Sequence, residues 1–270
     1  MVAFPAAQGR LSMPAILDAR GLDKHFGAVT AASDISAAIE KDSVVGLIGT
    51  NGAGKTTFIN MITGYLKPDR GSIHYEGRDI TRLAPRDITR LGICRSFQIP
   101  QLYASLTVHQ NMMVALGIVL RNARLGGFFS MTPPRVPGHD ALPEEAAERI
   151  LERFGLMPYR DRNAQVLPGG VRKLLDIALT MAAKPRILLL DEPTSGVSAE
   201  EKFGIMEMVM KAVKAEGATV LFVEHDMEVV GRFAERVLAF YDGRIIADAP
   251  PQQALQDPEV RRYVVGTLHA

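Results

Sequence analysis

Gly49, Gly54, Lys55 and Thr56 stand at the spacing G-x-x-x-x-G-K-S/T inside the stretch Val44-Val45-Gly46-Leu47-Ile48-Gly49-Thr50-Asn51-Gly52-Ala53-Gly54-Lys55-Thr56-Thr57. The chemistry this pattern suits is the binding of a nucleoside triphosphate. Successive backbone N–H groups of such a loop curl around phosphate oxygens, and glycines let the chain come close enough to do so. A helix leaving the loop, read here over Thr56 to Thr63, adds roughly half a positive charge at the same point. Lys55 reaches the β- and γ-phosphates as a point charge, and the Thr56 hydroxyl is small enough to ligate Mg²⁺. The plainer alternative is a glycine-rich turn with an incidental Lys-Thr. The apolar, β-branched run before the loop supplies the strand the motif demands and weighs against it.

Other chemistry-bearing groups stand at the ends of apolar runs. Arg186 to Leu190 reads as a buried parallel strand that ends in Asp191-Glu192-Pro193-Thr194. An aspartate there can hold the magnesium that Thr56 also touches, and the following Glu192 can orient or deprotonate an attacking water. Glu192 as a mere capping acid for a helix from Ala199 is the alternative. Ala218 to Val223 is a second such strand, followed by Glu224-His225-Asp226. His225 can contact a γ-phosphate or polarise the water network; a solvated loop histidine is the bland reading. Ile93 to Phe97 is a third strand, ending at Gln98, and strand ends in α/β folds are where ligands sit. Phe26, upstream of the phosphate loop, can stack on a purine or fill a core position at a strand end.

The elements that must carry these groups alternate between strand and helix. Residues 1–14 read as a loose tail, and Ile16 to Ala19 and Ile35 to Ile39 as strands flanking a turn at Gly27. Pro68-Asp69-Arg70-Gly71 is a turn, Ser72 to Tyr75 a strand and Glu76-Gly77-Arg78-Asp79 another turn. Pro85 to Leu91 reads as a short helix, as does Thr107 to Leu120 with Thr107 as its N-cap. A proline-containing loop from Gly126 to Pro143 precedes a helix over Glu144 to Phe154. A hairpin around Asp242-Gly243 and a helical tail from Pro251 close the chain. The fold class is α/β, with a helical insertion near residues 100–183.

Charge and composition bound the partners. With 31 basic and 30 acidic residues the net charge is +1, which gives no reason to expect nucleic acid. The single cysteine, Cys94, excludes an intramolecular disulfide and suits packing in a strand within a reducing compartment. The longest apolar run, Met112 to Leu120, is too short to cross a bilayer, and Pro5, Arg10 and Pro14 interrupt any apolar leader. The expectation is a cytosolic chain whose membrane association, if any, is peripheral and made through partners.

Phosphate loop, Gln98, Leu167-Pro168-Gly169-Gly170, Ile187 to Glu192 and His225 follow one another in an order that resembles the nucleotide-binding subunit of ATP-binding cassette (ABC) transporters, from about residue 15 to the C-terminus. The resemblance implies a P-loop NTPase with a RecA-like core, an antiparallel β subdomain and a helical subdomain. It assigns Phe26 to adenine stacking, and Gly49, Asn51, Gly52, Ala53, Gly54, Lys55, Thr56 and Thr57 to the phosphate-binding Walker A segment. Asp191 becomes the Walker B magnesium ligand, Glu192 the catalytic base, His225 the switch histidine and Gln98 a nucleotide and metal contact. Gly169 and Gly170 belong to the signature segment that faces a partner's ATP. ATP and Mg²⁺ are the implied cofactors. The implied partners are a second ATPase subunit in a head-to-tail dimer, two transmembrane permease subunits and, indirectly, a solute-binding protein, at the cytoplasmic face of the plasma membrane. Arg95-Ser96-Phe97-Gln98, the insertion and the ending Asp257-Pro258-Glu259-Val260 are most similar to subunits powering uptake of branched-chain and other hydrophobic amino acids, whose relatives handle amides and aromatic compounds.

Two departures from that family pattern stand out. The signature L-S-G-G-Q reads Leu167-Pro168-Gly169-Gly170-Val171 here, and an aspartate normally found in the D-loop is Ser198. Losing one donor from a preorganised site costs about 3 kcal/mol of transition-state stabilisation, on the order of a hundredfold in rate. A heterodimer with an ordinary partner would then carry one competent and one weakened site. Two other classes stay open on sequence: a soluble ABC-type ATPase of DNA repair, translation or cluster assembly, and a nucleotide sensor that does not hydrolyse.

Overall fold

The computed structural model describes residues 15–96, 102–123 and 135–266. The loose-tail reading of residues 1–14, the Gln98 site and the first half of the loop expected from Gly126 lie outside the described residues.

Strands β1 (Ala15–Phe26) and β2 (Val29–Glu40) form a long antiparallel hairpin, more than twice the length expected from its apolar segments. The buried positions of β2 alternate (Ile35, Ala37, Ile39), so the sheet covers the core with one face and shows polar side chains on the other. β3 (Val44–Gly49) leaves this layer for a second sheet, while β4 (Arg70–Tyr75) and β5 (Arg78–Asp79) complete the first in the order β2-β1-β4-β5. The expected turn Glu76–Asp79 is shorter than the sequence suggested. Glu76 and Gly77 both take positive φ (48° and 79°), a tight two-residue hairpin turn. Arg78 and Asp79 therefore already pair back with Tyr75 and His74.

The second sheet holds β6 (Ile93–Arg95), β7 (Ile187–Asp191), β8 (Thr219–Val223), β9 (Arg236–Tyr241) and β10 (Arg244–Ala249) in the order β10-β9-β3-β8-β7-β6. All but β10 run parallel to β3. β3 and β8 are buried along their whole length, which is why they read as continuous apolar runs. Alternate residues serve two cores. Ile48, Leu188, Val220 and Phe222 face the helical side, and Leu47, Leu189, Leu221 and Phe240 pack toward β1 and β2. Cys94 is buried on β6, where burial pushes its thiol up to about 11.

The helices of six or more residues are α1 (Lys55–Ile62), α2 (Pro85–Arg90), α3 (Val108–Asn122), α4 (Pro143–Arg153), α5 (Gly169–Met181), α6 (Lys202–Ala215), α7 (Met227–Phe233) and α8 (Pro251–Gln256) among the described residues. α3 starts where Thr107 requires it: its hydroxyl accepts from the Gln110 N–H (3.1 Å) while Gln110 Oε1 accepts from the Thr107 N–H (2.9 Å), a reciprocal capping box. α6 begins three residues later than Ala199 because the Ser198 hydroxyl first accepts the Glu201 N–H in a capping turn. Among the described residues no helix is long and apolar enough to cross a membrane.

Candidate active site

Because β3, β6, β7, β8 and β9 are parallel, their C-terminal ends lie along one edge of the sheet. That edge gathers the Gly49 to Lys55 loop, Arg95, Asp191-Glu192, Glu224-His225 and Asp242-Gly243. β8 lies between β3 and β7, so the histidine segment leaves the sheet between the strands that carry the phosphate loop and the carboxylates.

The phosphate loop is shaped by what its glycines exclude. A Cβ on Gly49 would stand 2.5 Å from the Phe240 carbonyl oxygen, and one on Gly54 (φ 109°) would stand 3.0 Å from the Ala31 carbonyl. Neither neighbour can yield, since both are backbone. The Ala53 N–H donates to the Thr50 carbonyl (3.1 Å), closing the turn. Lys55 is 6% exposed, and its ammonium donates to the carbonyls of Gly49 (2.5 Å) and Thr50 (2.9 Å). Burial lowers its pKa, opposed by the negative charges of Glu192 and Asp191. Asn51, Gly52 and Thr56 are exposed around this charge, with Thr57 half-buried. Such an arrangement, a buried cation at the start of a helix beneath an exposed glycine-containing turn, is a cradle for polyphosphate. Phe26 ends β1 with 52% of its surface exposed, so it is no core residue; Lys24 Nζ lies 5.6 Å from its ring centre. An exposed ring of this kind is free to stack.

Asp191 ends β7, and one of its carboxylate oxygens, Oδ2, is bound by Arg95, whose other guanidinium nitrogen donates to Asn60 Oδ1 (2.8 Å) on α1. Glu192 follows with φ of 47°, a left-handed backbone that is uncommon outside glycine. Its N–H donates to the Val223 carbonyl (3.1 Å), which ties the strained residue to β8. Its Oε1 lies 3.1 Å from His225 Nε2. The structure thus brings Glu192 and His225 together as a hydrogen-bonded pair, and with α6 starting only at Lys202 Glu192 caps no helix. A carboxylate paired with an imidazole can accept a proton from water and be held in orientation while doing so.

The comparison with known families turns on the same stretch of chain. Residues 32–195 match the family described as ABC transporter. The chain belongs to the ABC transporter family. This ABC ATPase is 34% identical over 251 residues to the high-affinity branched-chain amino acid transport ATP-binding protein BraF of Pseudomonas aeruginosa, covering 93% of this chain and 98% of that protein. It is 33% identical over 256 residues to the protein of the same description, LivG, of Escherichia coli K12, covering 95% and 99%. The crystal structure of an ATP-binding cassette of an ABC transporter in its ADP conformation matches with a TM-score of 0.78 at 32% identity, covering 92% of this chain and 98% of that one. The fold is the P-loop ABC ATPase fold that the motifs implied, and the ABC ATPase binds ATP and couples its hydrolysis to transport. The readings as a DNA-repair ATPase or a non-hydrolysing sensor are set aside.

The segment Leu167-Pro168-Gly169-Gly170-Val171, which resembles the family's signature, leads into α5. Pro168 takes the N-cap position with no side-chain cap, so the N–H groups of the first turn remain at the surface. Neither Gly169 nor Gly170 has a positive φ; their smallness serves close packing instead. A Cβ on Gly170 would stand 2.7 Å from Ile205 Cδ1, and one on Gly169 would stand 3.3 Å from the Gly196 carbonyl. Val171 is half-buried against the core.

Three residues of the ABC ATPase carry site contacts that the sequence reading did not assign. Arg95 was only a subgroup cue, although an arginine ending a buried strand needs an acidic partner nearby. Lys173, buried on α5, donates to the Asp191 carbonyl (3.3 Å); burial lowers its pKa against the pull of Asp176, Asp191 and Glu192. Gly243 had only its hairpin-turn signal. Its N–H donates to the Ala53 carbonyl (3.1 Å) and its own carbonyl accepts the Ser33 N–H (2.8 Å), joining the phosphate loop to β2.

Proposed function

We propose that this ABC ATPase energises uptake of branched-chain or related hydrophobic amino acids, and that Glu192 is its general base. The observation that carries the catalytic reading is the 3.1 Å contact between His225 Nε2 and Glu192 Oε1 at the edge that also holds Lys55. With ATP on the phosphate loop, the loop N–H groups and Lys55 hold the phosphates, and Phe26 stacks on the base. Glu192 accepts the proton of the attacking water, and His225 fixes the carboxylate and its Nε2 contact during that transfer. Asp191 and the Thr56 hydroxyl, with the nucleotide's own phosphates, would hold Mg²⁺, a donor set suited to that ion. When bound, the ion neutralises charge that develops on the phosphate oxygens. Gln98 completes the assignment as a contact to nucleotide and ion. The solute assignment rests on the descriptions of BraF and LivG and their near full-length match.

The partners follow from the same reading. A second ATPase subunit faces this chain head to tail, with Gly169 and Gly170 opposite its ATP, and two permease subunits bind at the cytoplasmic face. A solute-binding protein delivers the cargo. Pro168 and Val171 leave fewer donors for the partner's phosphate, which favours a heterodimer with one strong and one weakened site. The test is Glu192→Gln in the assembled transporter. Turnover falls by at least about a hundredfold while ATP binding persists. Steady-state hydrolysis near the parent rate removes Glu192 from the base role. Transport of labelled leucine by reconstituted vesicles tests the solute, and uptake insensitive to excess leucine and isoleucine refutes it.

A further inference from the structure

His225 is flanked by two carboxylates, and both are tied to the loop that follows Glu192. Glu224, only 4% exposed, accepts with Oε1 from the Thr194 N–H (2.9 Å) and from the Thr194 hydroxyl (2.7 Å). Its other oxygen accepts from the His225 N–H (3.3 Å). Asp226 N-caps α7 through the N–H groups of Glu228 and Val229, and its second oxygen binds Lys202, the first residue of α6. Thr194 and Lys202 are the two ends of the D-loop, residues 195–201. In the middle of that loop the Gly196 carbonyl packs against Gly169, and Val197 lies beside Gly170.

A buried carboxylate is costly unless its partners are worth keeping. Burial raises the Glu224 pKa, yet the two Thr194 bonds and the His225 N–H oppose that rise. The acid forms no bond to the phosphate loop among the described residues. Its position is explained by the loop it grips.

We propose that Glu224, acting through Thr194, is a positioning residue that makes the D-loop and the switch histidine one mechanical unit. The Asp226–Lys202 pair closes the far end of that unit. A shift of His225 against Glu192 is then passed to Gly196 and so to the signature glycines, without the D-loop aspartate that Ser198 replaces. The inference rests on the proposed roles of Glu192 and His225 and adds a coupling that those roles do not contain.

The test uses the full chain in its assembled complex, with Thr194→Val, Glu224→Ala, the double variant and Glu224→Gln. Steady-state kcat and KM for ATP are read beside binding of a fluorescent ATP analogue. A displaced catalytic pair is expected to cost each single variant about tenfold or more in kcat, with KM and analogue binding within about twofold. The double variant falls no further than Glu224→Ala, which already removes both Thr194 bonds, of which Thr194→Val removes the hydroxyl one. Glu224→Gln, whose carbonyl oxygen accepts the same two Thr194 bonds, recovers kcat to within about threefold of the parent. Losses that multiply in the double variant overturn the proposal, as does a glutamine variant as slow as the alanine one. If Glu224→Ala does not fold, Thr194→Val against Glu224→Gln decides the same question. Glu192→Gln is run alongside: if it still turns over, the underlying catalytic reading fails. If it is inactive while Thr194→Val and Glu224→Ala are fully active, the coupling alone fails.

Discussion

Gly243 sits where three backbone segments meet, and Gly243→Ala measures what that junction contributes. Asp242 and Gly243 have φ of 46° and 74°, the left-handed pair that a two-residue hairpin turn requires. An alanine at that φ costs roughly 1–2 kcal/mol. Its Cβ would also stand 3.3 Å from the Ala31 carbonyl carbon and 3.4 Å from Ala32 Cα, so β2 has to give by a few tenths of an ångström. The total is roughly 1–3 kcal/mol, and each kcal/mol lowers Tm by about 2–4 °C in a chain of this size. Relief of the crowding pulls Gly243 from Ala53, whose carbonyl it holds at 3.1 Å. Weakening one such bond, about 0.5–1.5 kcal/mol, corresponds to roughly 2–12-fold in nucleotide affinity. Gly77→Ala is the matched control: its φ is 79° and nothing lies within 4 Å of the added Cβ, so it bears the backbone strain without the crowding. Thermal unfolding by circular dichroism and the KM for ATP are measured for both. A larger fall in Tm and a raised KM for Gly243→Ala alone are expected. Equal Tm and equal KM for the two variants would refute the reasoning that Gly243 braces the phosphate loop.

Phe26→Ala should weaken ATP binding by about 0.5–1.5 kcal/mol, or roughly 2–12-fold, and leave Tm unchanged because the ring is exposed; an unaltered affinity in a nucleotide titration removes Phe26 from the site. Thr107→Ala breaks the capping box of α3 and should lower stability by about 1 kcal/mol with no change in KM, read by denaturant unfolding and ATPase assay. Burial raises the Glu224 pKa above its ordinary 4.5, so its protonated form stabilises the fold below that value and the contribution is lost as pH rises through the folded pKa. Glu224→Gln should therefore raise Tm relative to the parent at pH 7.5, with the advantage shrinking as pH falls toward 4.5; a constant offset across that range counts against a costly buried charge.

What was legible in the chain was the part governed by local chemistry. The Val44 to Gly49 run, the glycine spacing and Lys55 identify a phosphate loop because each residue type answers a steric or electrostatic demand of that loop. Asp191-Glu192 and His225 were legible because apolar runs deliver polar groups only at strand ends. The hairpin of β1 and β2 was underread because its outward positions are polar, so only short apolar pieces stood out. The Arg95–Asp191 pair, the Lys173 contact and the Gly243 junction join residues 96, 18 and 190 positions apart or come from strand order, and no local pattern encodes which strand lies beside which. The packing of Gly169 and Gly170 against the Gly196 carbonyl and Ile205 likewise depends on chain segments distant in sequence.

Cys94 has a practical consequence for watching this protein move. It is the only cysteine in the chain, it is buried on β6, and its thiol is pushed up to about 11, so almost none is thiolate at neutral pH. A second cysteine introduced on an exposed position would be the sole reactive one, with no background substitution required. Paired maleimide dyes are then accessible by placing cysteines at exposed Ser195 and at exposed Val166. The distance between segment 195–201 and the turn before α5 becomes a fluorescence measurement in an otherwise unaltered chain.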